Sequence, residues 1–208
     1  MNIRQTSNAG FLLSLDNTNI LLDGVGERIA PYFETPAYIK EELLKTPLDA
    51  LVFTHYHGDH FDKSFAEAYK NREFGSVFGG PELSKAFKVK NLTVIPVKTR
   101  HIGKFVIDHS SYVISGSKTV LFLGDASPNE FKNREDLPKI DLVIAPFAYA
   151  LTSAAISITN SLGAKKVLIT HLPEQSLDEF GIREAVAKAV AQNSNWSTSE
   201  IGQSITIL

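Results

Sequence analysis

The stretch that decides the fold runs from Thr54 to His60 and reads Thr-His-Tyr-His-Gly-Asp-His, so it holds three imidazoles and one carboxylate. It follows the apolar run Leu51 to Phe53, which predicts a buried strand. Neutral imidazole and carboxylate groups are the usual ligands of divalent ions such as Zn²⁺. The stretch therefore predicts a metal site at the end of a strand. The alternative is a polar loop that happens to be rich in histidine.

The spacing within this stretch predicts which residues act together. Alternate residues of an extended segment point the same way, so we expect His55 and His57 to bind one ion. The apolar residues of Phe61 to Asn71 recur at helical spacing, which predicts a helix directly after the stretch. The turn into that helix would direct Asp59 and His60 toward a second ion.

Composition limits the classes of protein that the chain can belong to. Its 208 residues are 43% hydrophobic and 21% charged, which predicts a single domain over residues 1–208. A net charge of −2 gives no reason to expect a nucleic-acid or anionic-lipid partner. The chain has no cysteine, so nitrogen and oxygen must hold any metal. It shows no secretory signal and no apolar run of ~20 residues, which predicts a cytoplasmic protein. The compact chain without a basic patch favours a small molecule as the substrate.

Hairpin and strand-helix-strand patterns alternate along the chain. They predict an α/β (α+β) fold with two sheets packed face to face and helices outside. The predicted strands are Phe11 to Leu15, Ile20 to Asp23, Leu51 to Phe53, Leu92 to Val97, a meander of Lys104 to Ile107, Tyr112 to Ser115 and Thr119 to Leu123, then Asp141 to Ala145, Val167 to Thr170 and Ser204 to Leu208. The predicted helices are Thr35 to Leu44, Phe61 to Asn71, Thr152 to Leu162 and one around Ile182 to Val190.

Further ligands are expected where other apolar strands end, because a rigid scaffold holds residues there beside open loops. Asp125 follows Leu121 to Gly124, His171 follows Leu168 to Thr170, and His109 follows Ile107 and Asp108. Two of them have a simpler interpretation: Asp125 as a turn or cap residue, and His171 as a surface or core histidine.

Taken in order, these motifs resemble those of the metallo-β-lactamase superfamily. Thr54 to His60 is similar to its signature motif, Gly124-Asp125 to the motif that supplies a bridging carboxylate, and Thr170-His171 to its last metal histidine. The resemblance covers most of the chain. It implies a four-layer αββα sandwich of two mixed β-sheets flanked by helices.

The resemblance also implies a ligand set for two ions. His55, His57 and one further histidine would bind the first, Asp59, His60 and His171 would bind the second, and Asp125 would bridge them.

The further histidine is His101 or His109, the two that remain. We favour His109, because it ends a strand-like run and the segment Ser110 to Ile114 follows it as in the family's third motif. His101 would then be a surface residue or a substrate contact.

Two divalent ions, Zn²⁺ first and Mn²⁺ or Fe²⁺ as alternatives, would share a hydroxide at neutral pH. The resemblance thus implies a hydrolase of a phosphodiester, lactone, ester or amide, with Asp59 also orienting the nucleophile. An iron-dependent redox enzyme of the sulfur-dioxygenase kind and a non-catalytic member remain as alternatives. Asp23, Thr54 and Asp62 are candidates for supporting the ligands. The proton donor is not evident, and Tyr56, Tyr112 and Tyr149 are expected to pack rather than to react.

Overall fold

The computed structural model describes residues 1–71, 77–104 and 106–208. In these ranges the backbone forms one six-stranded and one seven-stranded sheet, both of mixed direction. The first sheet has the order β13-β1-β2-β3-β4-β5, and its strands are β1 Asn2–Gln5, β2 Phe11–Leu15, β3 Thr18–Leu22, β4 Ala50–Val52, β5 Val77–Gly79 and β13 Ser204–Thr206. The second has the order β12-β11-β10-β9-β8-β7-β6, and its strands are β6 Phe87–Val89, β7 Leu92–Arg100, β8 Asp108–Ser115, β9 Thr119–Phe122, β10 Leu142–Pro146, β11 Lys166–Thr170 and β12 Trp196–Thr198.

Helices cover the outer face of each sheet. They are α1 Ala37–Lys45, α2 Lys63–Lys70, α3 Ser153–Ser161 and α4 Ile182–Gln192. Within the described residues, no helix is both long and apolar enough to cross a membrane.

Alternation along the strands produces the layers. Phe11 and Leu13 of the first sheet pack against Phe122 and Leu168 of the second, so these residues form the core between the sheets. Neighbouring residues point the other way. Leu51 packs under α1 and α2, and residues such as Val167 pack under α4. The predicted four-layer αββα sandwich is therefore confirmed.

One predicted strand was wrong. Lys104 to Ile107 lies between β7 and β8; its described residues are not in a strand, and Phe105 lies outside the described residues. The chain leaves β7 at Arg100, and Gly103 has a φ of +96°, which breaks the extended run. The meander is therefore β7-β8-β9, with β8 starting at Asp108. Strands β1, β5, β6 and β12 had not been predicted.

The topology brings several strand ends to one edge. β9, β10 and β11 are parallel neighbours. β7 runs in the same direction as β9, since both are antiparallel to β8. In the first sheet, β3 and β4 are parallel. The segments that follow β3 and β4, and those that follow β7, β9 and β11, carry most of the side chains described next.

Candidate metal centre

Three histidines converge at the ends of β4 and β7. One donor atom from each of His55, His57 and His101 lies within 4.8 Å of the other two. Nε2 of His55 is 3.1 Å from Nδ1 of His57. The Nδ1–H of His101 donates to the carbonyl oxygen of Ile102, which leaves its Nε2 with a free lone pair. We call these three residues the first group.

A second group contains one carboxylate and two imidazoles. Donor atoms of Asp59, His60 and His171 also lie within 4.8 Å of one another, and all three residues are buried. Nε2 of His60 is 3.0 Å from Nε2 of His171, which is 3.3 Å from Oδ2 of Asp59. His171 has a φ of +63°, an unusual backbone conformation that occurs more often at functional sites.

Asp125 faces both groups. Its Oδ2 is 3.5 Å from Nε2 of His101 in the first group. In the second group, the same oxygen is 3.5 Å from Nε2 of His60 and 3.3 Å from Nε2 of His171. A single carboxylate between two sets of nitrogens is the arrangement that a shared ligand of two ions requires.

Gly124 allows Asp125 to approach the ligand loop. It has a φ of +53°, and a Cβ at this position would lie 2.5 Å from Cγ2 of Thr54. A larger residue would therefore clash with Thr54 as well as strain the backbone.

Asp23 supports one histidine from each group. Its Oδ1 accepts the backbone N–H of Thr54 at 2.7 Å, and its Oδ2 accepts the hydroxyl of Thr54 at 2.5 Å and Nδ1–H of His60 at 2.9 Å. The Thr54 hydroxyl can then accept Nδ1–H of His55, 2.9 Å away. Both histidines thereby present Nε2 lone pairs to the centre. Asp62 touches none of these ligands, since it caps α2 and pairs with Lys40.

Asn8 fixes His171, although nothing in the sequence suggested this role. Its side-chain amide nitrogen lies 2.8 Å from Nδ1 of His171. Its backbone carbonyl oxygen accepts the backbone N–H of His171 and the hydroxyl of Thr170. Asn8 lies in the loop between β1 and β2, and its contact with His171 spans 163 residues.

His109 lies beside the centre, but the protein engages both of its ring nitrogens. Nε2 accepts the backbone N–H of Asp125 at 3.0 Å, and Nδ1 bonds to the hydroxyl of Thr99 at 2.8 Å. Burial lowers the pKa of His109 to about 3. The sequence favoured His109 over His101 as a ligand, whereas in the structure His101 is grouped with His55 and His57.

The carboxylates draw positive charge to the second group. Burial alone would lower the pKa of His60, but Asp125 and Asp23 raise it well above the ordinary value. In return, His171 and His60 hold the pKa of Asp125 well below its ordinary value, although burial opposes this shift. A cation is therefore favoured between these side chains.

The donor set fits a pair of divalent ions. Among the described residues, Nε2 of His101 and Oδ1 of Asp125 are buried without a hydrogen-bond partner. Leaving such a group unpaired costs about 1–3 kcal/mol, so buried polar groups are normally satisfied. Nitrogen and oxygen donors in this number suit Zn²⁺, Mn²⁺ or Fe²⁺.

Comparison of the sequence with protein-family models and with curated proteins finds no match. Solved structures are similar over the whole chain. The metallo-β-lactamase fold protein YhfI from Bacillus subtilis has a TM-score of 0.67 at 18% identity, with 99% of each chain covered. Isothiocyanate hydrolase from Delia radicum gut bacteria has a TM-score of 0.70 at 16% identity, with 100% of this chain and 99% of that chain covered.

A third neighbour has a different chemistry. CmlA, a diiron β-hydroxylase from Streptomyces venezuelae, has a TM-score of 0.62 at 14% identity, and the match covers 98% of this chain and 53% of that chain. At such identities the likeness concerns the fold, and this chain has the metallo-β-lactamase fold, as its motifs predicted.

Proposed function

We propose that this chain, with its metallo-β-lactamase fold, is a hydrolase of a small-molecule substrate that works with two divalent ions, most simply Zn²⁺. The first group would hold one ion and the second group the other, with Asp125 shared between them. The observation that carries the proposal is the position of Asp125 Oδ2, within 3.5 Å of nitrogens from both groups.

The proposal assigns the third histidine of the first ion to His101. The Nε2 atom of His101 is buried and has no hydrogen-bond partner. It lies 3.5 Å from Oδ2 of Asp125, the proposed shared carboxylate. Both ring nitrogens of His109 already have hydrogen-bond partners, which are the backbone N–H of Asp125 and the hydroxyl of Thr99. Its proposed role is to hold the backbone of Asp125 in place.

Two ions held in this way would supply a water acidified to a pKa near ~7 and a Lewis acid for a carbonyl or phosphoryl oxygen. The chain's own residues set the geometry. The contacts of Asp59 with His60 and His171 use its Oδ2, so its other oxygen would orient a nucleophile. Asp23 fixes the tautomer of His60 directly and that of His55 through the Thr54 hydroxyl. Tight burial of the second group excludes bulk water, which strengthens the electrostatic interactions there.

Access favours a small substrate that enters beside the first group. His57 is exposed and the His101 side chain is 10% exposed, whereas the second group is buried. A cavity of about 450 Å³ is lined by His101, and another of about 370 Å³ is lined by His57. Cavities of this size accommodate compounds rather than folded macromolecules.

Metal content and hydrolysis together test the proposal. Wild type should retain two zinc or manganese ions per chain by elemental analysis, His101→Ala about one, and His109→Gln two, because glutamine can still accept the Asp125 N–H. Loss of an ion from His109→Gln and not from His101→Ala would reverse the assignment. A panel of a phosphodiester, a lactone, a thioester, an amide and an isothiocyanate, the last suggested by one structural neighbour, should include a compound that wild type hydrolyses and His57→Ala does not.

The diiron neighbour supports a second candidate, an iron-dependent redox enzyme. Its ligands would be drawn from the same two groups, since imidazole and carboxylate also bind iron. Iron as the ion retained from cells, together with oxygen consumption and no hydrolysis, would favour this candidate over the first. A protein that retains no ion would favour a non-catalytic role.

A further inference from the structure

A loop from Glu27 to Thr35 lies over the second group. Within it, the ring of Tyr32 packs edge-on against His171, with 4.0 Å between ring centroids and 68° between ring planes. Phe147 contacts the same imidazole, with 6.2 Å between centroids. The second group therefore has an aromatic wall, and one member of that wall carries a hydroxyl.

The Tyr32 hydroxyl is a donor without an acceptor. Within the described ranges it makes no hydrogen bond. The hydroxyls of Tyr56, Tyr112 and Tyr149 all have partners, which are Glu82, the Phe53 and Gly80 carbonyls, and the Ser127 carbonyl. The unpaired hydroxyl therefore belongs to a ring that lies directly against a histidine of the second group.

The loop that carries Tyr32 is attached to both sides of the centre. The backbone N–H of Glu27 donates to the Gly58 carbonyl at 2.7 Å, next to the ligand Asp59. On the other side, the backbone N–H of Glu174 donates to the Pro31 carbonyl at 2.8 Å, and Arg28 pairs with the Glu174 carboxylate at 2.8 Å. Glu174 lies three residues after His171. These attachments fix the position of Tyr32 relative to the second group.

We propose that Tyr32 is a catalytic residue whose hydroxyl donates a hydrogen bond to the substrate oxygen that gains negative charge at the second group. This inference rests on the proposed hydrolase function and narrows it, because the substrate must present a carbonyl or phosphoryl oxygen toward Tyr32. Fixed donors aimed at developing charge are among the largest contributions to catalysis.

The test compares zinc-loaded wild type with Tyr32→Phe, which keeps the ring against His171 and removes the hydroxyl. Tyr38→Phe is the matched control, because Tyr38 lies on α1 and is 60% exposed. Zinc content and thermal midpoint are expected to be equal in all three proteins. Inorganic phosphate, a tetrahedral oxyanion, is then titrated into each by calorimetry.

We expect the phosphate Kd to rise about tenfold in Tyr32→Phe alone, the loss typical of one hydrogen bond to a charged group. For any compound in the panel that wild type hydrolyses, kcat should fall by about 100-fold, with KM nearly unchanged.

Equal phosphate affinities in wild type and Tyr32→Phe would overturn the role of Tyr32, as would absence of phosphate binding by zinc-loaded wild type. Loss of zinc from Tyr32→Phe would also overturn it, because Tyr32 would then support His171 rather than contact substrate. If wild type binds phosphate through Tyr32 but hydrolyses none of the compounds, the hydrogen bond from Tyr32 to an oxyanion is supported and the proposed hydrolysis is refuted. If Tyr32→Phe hydrolyses the substrate with an unchanged kcat, the role of Tyr32 is refuted and the proposed hydrolase function is supported.

Discussion

Replacing Asp23 with asparagine is expected to weaken the binding of both ions. The Asp23 carboxylate is fully buried and accepts three hydrogen bonds, two from Thr54 and one from His60. Asparagine keeps one acceptor oxygen, but its NH₂ group would face donors. His60 belongs to the second group, and Thr54 orients His55 of the first, so the change reaches both.

The magnitude follows from what such supporting bonds contribute. Loss of a hydrogen bond behind a metal-binding histidine typically costs 10- to 100-fold in metal affinity, so we expect each Kd to rise by about that factor. In free energy this is ~1.4–2.7 kcal/mol for each ion. Competition with a chromophoric chelator, in a titration that resolves two binding steps, measures both constants.

Asp62→Asn is the matched control. Asp62 lies two residues after His60, but it bonds to Lys40 and to the backbone N–H of Phe65 rather than to a ligand. Asparagine is an equally good helix cap, so zinc affinity should stay within about twofold of wild type. If Asp23→Asn binds both ions as tightly as Asp62→Asn does, or weakens only the second step, the reasoning about a shared support is refuted.

Three further outcomes are expected. Removal of the ions with a chelator should lower the thermal midpoint by about 10–20 °C, since two ions, each at about 100 times its Kd, contribute ~5 kcal/mol; a midpoint unchanged by the chelator would contradict ion binding. Gly124→Ala should reduce zinc retention and stability together, because its Cβ would meet Thr54 at 2.5 Å; calorimetry and elemental analysis that match wild type would argue against the close approach. Burial raises the pKa of Asp62, but the bonds from Lys40 and from backbone N–H groups outweigh it and lower the pKa overall. Its contribution is therefore present above pH ~4 and is lost as the pH falls further. In urea unfolding, Asp62→Asn should cost up to ~1 kcal/mol at pH 7 and less at pH 3, and an equal cost at both values would exclude this ion pair as the cause.

The sequence predicted which side chains of the first ligand loop would lie together. His55, His57, Asp59 and His60 lie within six residues after an apolar strand, and the structure places their donor atoms in two neighbouring groups. The layers were also predictable, because alternating apolar residues identify both faces of each strand. Asp125 was placed by the same rule about strand ends.

The choice between His101 and His109 depends on how strands β7 and β8 pair, and the spacing of residues in the sequence does not determine that register. Thr99 pairs with His109 across β7 and β8, which turns the His109 ring toward the backbone of Asp125. His101 lies beyond the end of β7 and forms a bridge with Ala126. The contact between Tyr32 and His171 was not predicted for a similar reason, since His171 follows a strand of the other sheet and lies far along the chain.

Each group takes two donors from the loop after β4 and one from the second sheet, His101 or His171, with Asp125 also from the second sheet. Bound ions would thus hold the two halves of the polypeptide together in addition to the backbone that connects them. A chain cut between β5 and β6 would give two fragments, each with an incomplete set of ligands for either ion. Their reassembly would then depend on zinc concentration, which would make the split protein a reporter of the free metal.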